Sequence, residues 1–268
     1  MKILVCLKQI LDPEISARDF QIDSTGTHAE LEGANLVTNI FCENALETAL
    51  QFRDAVPGSD VTVMSLGSQS VEDSLRKALA MKADRAVRIE APCGTSPDSL
   101  GVAKVLAAAI QKLGDFDLVL LGREAGDWGM GQTGAYLAEA LGIPMVSFVD
   151  AIEGSGEELQ LRRQTDDGWE RFQSRTPVLA TVTNSDDNLP RIPKTRDIMK
   201  SSRLPIEVET LGSLGLADDF ADDEGSGVRV EKLFVPENTV ECSFASGDST
   251  DEKVENLAEQ LATILENA

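Results

Sequence analysis

The chain has 268 residues, 42% hydrophobic and 26% charged, with 46 acidic against 24 basic side chains and a formal net charge of -22. That charge repels phosphate backbones and anionic membrane surfaces, and no apolar run approaches the roughly 20 residues that span a bilayer, so neither nucleic acid nor membrane insertion is expected. One histidine and four scattered cysteines (Cys6, Cys42, Cys93, Cys242) give no zinc spacing, no disulfide framework and no triad needing a second histidine. The acidity itself reads first as a solvated surface, with a salt-adapted host or steering of a basic partner as alternatives.

Lys2 to Lys8 is a short apolar run, read as a buried parallel strand rather than a targeting segment. Phe20 to Asp23 alternates in a manner that predicts a small surface hairpin. Thr38 and Asn39 are candidate caps for a helix over Ala45 to Phe52. Val61 to Leu66 is the next strand, and Ser70 is expected to cap a helix running to Met81. The pattern then predicts a strand at Arg85 to Ile89, a loop at 92–97, a helix at Asp98 to Lys112 and a strand at Asp117 to Leu121.

This alternation argues for a mostly parallel, Rossmann-like α/β sheet with helices on both faces, because right-handed crossovers return each helix over the sheet. In such sheets ligands bind beyond the carboxyl ends of the strands. The loops after Cys6, before Glu43, after Ser65 and after Gly122 are therefore expected to converge.

From Asp150 the pattern changes. Glu158 to Arg163 and Trp169 to Ser174 flank Thr165–Asp166–Asp167–Gly168 and predict a hairpin. Pro177 to Val182 reads as a strand rejoining the sheet. Asn184 to Pro193 reads as a surface loop and Thr195 to Ser201 as a short helix. Leu211 to Leu216 is a loop, 217–227 an acidic linker, and Val228 to Val235 a strand candidate. Asp251 to Glu266 is amphipathic, with the stripe Val254, Leu257, Leu261, Ile264 and Leu265, which must be covered by its own domain or by a second subunit.

Leu118 to Pro144 is the most informative stretch, running from an apolar strand through a glycine-rich loop into an Ala/Leu-rich helix over Thr133 to Leu141. Gly129–Met130–Gly131–Gln132–Thr133–Gly134 matches G-x-G-x-x-G in form. Arg123 to Trp128 intervenes after a strand that is late in the chain, which disfavours a nicotinamide-dependent dehydrogenase. The preferred reading is an anion cradle: Gly129, Gly131 and Gly134 let the backbone approach, and Gln132 and Thr133 add donors at the helix start. A plain turn-forming connection is the alternative. Asp127 sits awkwardly beside a phosphate, and Cys6 and Cys42 read as buried small hydrophobes.

Asn39–Ile40–Phe41–Cys42–Glu43, the run Leu75 to Ala86, Leu118 to Gly134, and Pro190–Arg191 with Ile198–Met199–Lys200 together resemble the beta subunit of electron-transfer flavoproteins, the FixA family, over nearly the whole chain. The resemblance implies an adenine nucleotide alpha hydrolase-like fold plus a C-terminal arm. It divides the chain into a nucleotide-binding core at 1–183 with a hairpin excursion at 158–174, a partner-recognition loop and return to the core at 184–210, and a linker and arm at 211–268 whose helix lies on the alpha subunit.

By the same resemblance the chain is an electron-carrier subunit without catalytic residues or metal. The alpha subunit holds most of the FAD, and the beta subunit binds AMP through Cys6, Asn39, Ile40, Phe41, Cys42, Leu66, Arg123, Asp127, Gly129, Met130, Gly131, Gln132, Thr133 and Gly134, with Phe41 also turned to the flavin. A second FAD with NADH as donor, in a bifurcating complex, is an alternative. A stand-alone adenine-nucleotide sensor is another.

Pro190, Arg191, Thr195, Ile198, Met199 and Lys200 are implied to meet an acyl-CoA dehydrogenase or other flavin dehydrogenase, as in fatty acid β-oxidation. A quinone oxidoreductase would be the acceptor, in a bacterial or archaeal cytoplasm. Three departures stand out: Leu66 stands where many members have a small residue or cysteine, Ile40 replaces a common proline, and Thr195 replaces a common anchoring leucine.

Overall fold

Short apolar runs become strands where they can be buried on both faces, and the computed structural model sets eleven strands and six α-helices among its described residues: 1–16, 18–30, 33–91, 98–217, 227–228, 230–236 and 242–266. In chain order these are β1 (Lys2–Leu7), β2 (Gln9–Leu11), β3 (Leu36–Thr38), α1 (Ile40–Ala55), β4 (Asp60–Gly67), α2 (Glu72–Ala80), β5 (Arg85–Glu90), α3 (Ser99–Leu113) and β6 (Leu118–Gly122). There follow α4 (Thr133–Leu141), β7 (Met145–Ser155), β8 (Glu158–Thr165), β9 (Gly168–Arg175), β10 (Val178–Val182), α5 (Thr195–Ser201), β11 (Glu207–Thr210) and α6 (Thr250–Glu266).

Nine strands form one sheet in the order β11-β5-β4-β1-β6-β10-β7-β8-β9. Pairing is parallel from β11 to β7 and antiparallel through the β7–β8–β9 excursion. Successive side chains of a strand point to opposite faces. Ile3 and Val5 therefore join Leu46, Leu50, Leu75 and Leu79 of α1 and α2 in one core. Leu4 and Cys6 join Leu106, Ile110 and Leu137 of α3 and α4 in the other. The mostly parallel sheet expected from the sequence, covered on both faces, is the one that forms.

β1 and β6 are neighbours, yet the helix after β1 packs on one face and the helix after β6 on the other. Their outgoing loops diverge, which makes the carboxyl ends of β1 and β6 the topological switch point where an open α/β sheet leaves a crevice.

Several expectations need correction. α1 starts at Ile40, well before Ala45. Ser70 does not cap α2: a 3-10 turn at Gln69–Val71 precedes the helix, and the Ser70 hydroxyl meets Ser68 at 3.0 Å. Asn184 to Pro193 is not simply surface, because a 3-10 turn at Asp186–Asn188 buries Asn188 completely. The described residues of 228–235 form no strand. β7 and β11 were not anticipated. The small hairpin near Phe20 reduces to an Ile22–Ala29 bridge, and β2 and β3 on either side of it in the chain pair antiparallel.

The loop at 92–97, with Cys93, and residues 218–226 of the acidic linker lie outside the described residues. Met1–Leu233 and Phe234–Ala268 are two compact units. In the second, α6 exposes Val254, Leu257, Leu261, Ile264 and Leu265. Among the described residues no helix is long and apolar enough to cross a membrane.

Candidate functional site

Asn39 stands just before α1 in an extended conformation, and its side chain makes no cap bond to the helix. Instead its Nδ2 donates to the Glu124 carbonyl at 2.8 Å and its Oδ1 accepts the Gly126 N–H at 3.1 Å. Its own N–H donates to the Lys8 carbonyl at 2.9 Å. One buried amide thus ties the loop after β1, the start of α1 and the loop after β6 together over the switch point. The Lys8 ammonium reaches Asp127 at 2.7 Å, and Gln9 Nε2 donates to the Ser70 carbonyl at 2.9 Å. The four loops expected to converge do so.

The Lys8 pair also accounts for Asp127. Its carboxylate is matched by a cation and accepts the Trp128 N–H at 2.9 Å, so it does not stand as a bare charge beside the glycine loop. Gly129 and Gly131 have φ of +61° and +62°, the left-handed region that favours glycine, and both are exposed. Gln132 and Thr133 follow at the first turn of α4, where backbone N–H groups lack intrahelical partners.

Gly134 has a packing task that the sequence does not announce. A Cβ there would lie 2.4 Å from Thr181 Cγ2, so this glycine lets α4 close onto β10.

Arg123 directly follows β6, and its side chain reaches two aromatic rings. Its guanidinium lies 4.4 Å from the centroid of the Phe41 ring and 5.4 Å from that of Phe148, and Nη1 donates to Thr183 Oγ1 at 3.2 Å. Such stacking joins cation–π attraction to orientation of the ring. Phe148 is half-exposed with φ +56°, a conformation uncommon for a non-glycine residue. Sequence reasoning passed it over, since nothing local to Ser147–Phe148–Val149 announces a left-handed residue.

Cys6 and Cys42 are buried free thiols, and burial pushes both well up from the ordinary thiol range. Asn39 Nδ2 approaches Cys42 Sγ at 3.4 Å. Leu66 is half-buried at the end of β4, while Ile40 and Met130 are exposed. Among the described residues no cluster of His, Cys, Asp and Glu could hold a metal ion.

The second group of sequence-selected residues lies apart from this crevice. Arg191 faces inward: its Nε and Nη2 donate to Glu47 at 2.8 and 3.0 Å, and Nη1 to Asp54 at 2.9 Å. Hydrogen bonding to Glu47 raises its pKa further. Pro190 is half-buried, whereas Thr195, Ile198, Met199 and Lys200 are exposed on α5. Two more apolar side chains, which the sequence reading left out, are as open or more so: Leu189 at 64% and Ile192 at 92% exposure. Lys194, Arg196, Lys200 and Arg203, all exposed, follow them in the sequence. Asp197, the one acid among 191–203, is paired with Lys82 at 2.5 Å.

The electron transfer flavoprotein domain model matches residues 30–213, taking in the Asn39 bridge, the glycine loop and the Leu189 to Arg203 segment. The electron transfer flavoprotein subunit beta of Thermoanaerobacterium thermosaccharolyticum is 34% identical over 262 residues, covering 97% of this chain and 98% of that one. The chain belongs to the electron-transfer flavoprotein beta-subunit family. The human subunit beta is 33% identical over 218 residues, with 81% and 84% of the two chains covered. The caffeyl-CoA reductase-Etf complex subunit CarD of Acetobacterium woodii is 32% identical over 262 residues, with 97% and 98% covered. Electron-transfer flavoprotein beta subunits belong to electron carriers rather than to bond-breaking enzymes. The groups around Asn39 therefore matter for what they hold and orient.

Proposed function

We propose that this chain is the beta subunit of a heterodimeric electron-transfer flavoprotein, holding AMP in the crevice between the ends of β1 and β6 and helping an alpha subunit hold its FAD. The observation that carries the reading is the Asn39 bridge, which fastens the glycine loop above the switch point and leaves the start of α4 open. The donor set fits a phosphate: left-handed Gly129 and Gly131 expose backbone, Gln132 and Thr133 sit at a helix N-terminus, and Lys8 already neutralises Asp127. Cys6 and Leu66 at the ends of β1 and β4, with Cys42 in the first turn of α1, supply apolar lining beneath the loops. Bound flavin supplies the one- and two-electron chemistry.

Phe41 and Phe148, braced by Arg123, form the aromatic rim that would face the alpha-subunit flavin. The exposed stripe of α6 would lie on the alpha subunit. Leu189, Ile192, Ile198 and Met199, set among basic side chains in a chain of charge -22, suit an acidic flavin dehydrogenase with an apolar pocket. CarD, named for a caffeyl-CoA reductase-Etf complex, supports a flavoenzyme of CoA thioesters as the partner class; a reductase takes electrons up, so that name favours the bifurcating alternative, while an acyl-CoA dehydrogenase as donor rests on the family resemblance. A quinone oxidoreductase would accept the electrons, and the setting would be cytoplasmic.

Co-expression with an alpha subunit tests this. A yellow heterodimer that releases one FAD and one AMP on denaturation is the expected result. Two FAD and no AMP would establish the bifurcating reading with NADH as donor. A stable colourless monomer that binds ATP would replace both with a nucleotide sensor.

A further inference from the structure

The buried flank of α1 carries a row of polar residues where a helix packed on a sheet ordinarily presents apolar ones. Asn44, Glu47, Thr48, Gln51 and Asp54 recur every three or four positions, so they share one side of the helix, and each binds the same short segment. Asn44 Nδ2 donates to the Asn188 carbonyl at 3.0 Å, and Asn188 Nδ2 donates to Thr48 Oγ1 at 3.3 Å. Gln51 Nε2 donates to the Asp187 carbonyl at 2.9 Å. Glu47 accepts the Arg191 N–H at 3.1 Å along with its guanidinium, and Asp54 takes the remaining Nη1. Asn44, Glu47, Thr48 and Asn188 are all buried, Glu47 at 4% exposure.

Replacing buried charged groups by apolar residues of similar size is often neutral or stabilising, so their presence is weak evidence of added stability, and in some folds they serve to fix one arrangement. Here the arrangement grips Asp187, Asn188 and Arg191, while Leu189 and Ile192, between and beside them, project into solvent. Binding through a loop already held in its bound shape avoids the ordering cost of association.

We propose that the α1 polar stripe is a positioning device that presents Leu189 and Ile192 as a pre-set pair of apolar anchors for the electron-donating protein, in place of an anchor at position 195. This rests on the docking reading of the segment given above. The occupant it fits is a protein surface with an apolar pocket rimmed by carboxylates, because Lys194, Arg196, Lys200 and Arg203 follow the anchors, the one acid among 191–203, Asp197, is taken by Lys82, and Asp187 on the other side is taken by Arg162. Glu47 is the pivotal positioning residue, since it alone bonds both the backbone and the side chain of Arg191.

The test uses the heterodimer with its alpha subunit, comparing wild type, Glu47→Gln and Ile192→Ala. Two readouts are taken: amide hydrogen exchange across the whole chain, and electron acceptance from an acyl-CoA dehydrogenase reduced by its acyl-CoA. Glu47→Gln is expected to speed exchange at 187–193 by about tenfold or more, without speeding it in the sheet, and to raise the half-saturating concentration about five- to tenfold with the limiting rate and flavin potential unchanged. Ile192→Ala should raise half-saturation alone. Should Glu47→Gln fail to fold, Gln51→Ala at the exposed rim of the stripe is expected to move both readouts in the same direction. Unchanged exchange at 187–193, or exchange raised equally throughout the sheet, overturns the positioning role. A wild-type heterodimer that takes no electrons from the reduced dehydrogenase overturns the docking reading, and the exchange data then decide the clamp separately.

Discussion

Asn39 holds Gly126: the side-chain oxygen of the residue before α1 accepts the N–H of a residue in the loop after β6 at 3.1 Å, while its nitrogen takes the Glu124 carbonyl. A position that local sequence marks as a helix cap is used for a long-range tie. Asn39→Ala would leave the Glu124 carbonyl and the Gly126 N–H without that partner, at a cost of about 2 kcal/mol. Nucleotide content of the purified heterodimer should fall sharply, with a smaller loss in the denaturation midpoint. Full nucleotide occupancy in the variant would show that the bridge has no part in binding.

The glycines should separate by task. Gly131→Asp places a Cβ at φ +62° and a negative charge beside the start of α4, and is expected to lower nucleotide retention at least tenfold, on the order of 1.4 kcal/mol or more, with the chain still folded. Gly134→Ala sets its Cβ 2.4 Å from Thr181 and should cost about 1–3 kcal/mol of stability through displacement of α4. Isothermal titration with AMP and urea unfolding distinguish them. The idea fails if the two variants show the same profile.

Removal of 234–268 deletes the second compact unit. The sheet should remain folded by circular dichroism, while association with the alpha subunit weakens. Replacing both Leu257 and Leu261 by Asp within the intact chain should weaken association similarly, and undiminished heterodimer on size exclusion would contradict the assignment of α6.

Acid should loosen the β11 edge first. The bond from Arg85 holds Glu207 below the ordinary carboxylate range, that from Lys112 does the same for Glu209, and the Lys82 bond does so for Asp197. A lowered folded-state pKa stabilises the fold above the unfolded value, about 4, and that contribution is lost as pH falls through the folded value. Urea midpoints should therefore decline below about pH 4, less steeply in Glu207→Gln combined with Glu209→Gln. Parallel pH profiles for variant and wild type would refute this.

The strands β1, β4, β5, β6 and β10 could be read directly because a strand buried on both faces must be apolar along its length. The short exposed strand β11, Glu-Val-Glu-Thr at the sheet edge, and the partly exposed β7 carry no such signature. Val228 to Val235 shows the converse, since its apolar character predicts a strand and its described residues form none. Among site residues, Asp127 gained its partner Lys8 and Gly134 its packing role only when distant strands were brought side by side. Residues Leu189 and Ile192 escaped notice because exposure belongs to the assembled surface.

The sequence by itself determined the class of sheet, the glycine loop leading into α4 and the family resemblance, because hydrophobic period, backbone-specific residues and motif order are local properties. Tertiary structure decided the rest: that β1 and β6 adjoin with helices on opposite faces, that Asn39 reaches across them, and that α1 turns its polar row toward 187–191. Those facts depend on pairing across many tens of residues, and a linear chain fixes such pairings only through the free energy of the whole fold.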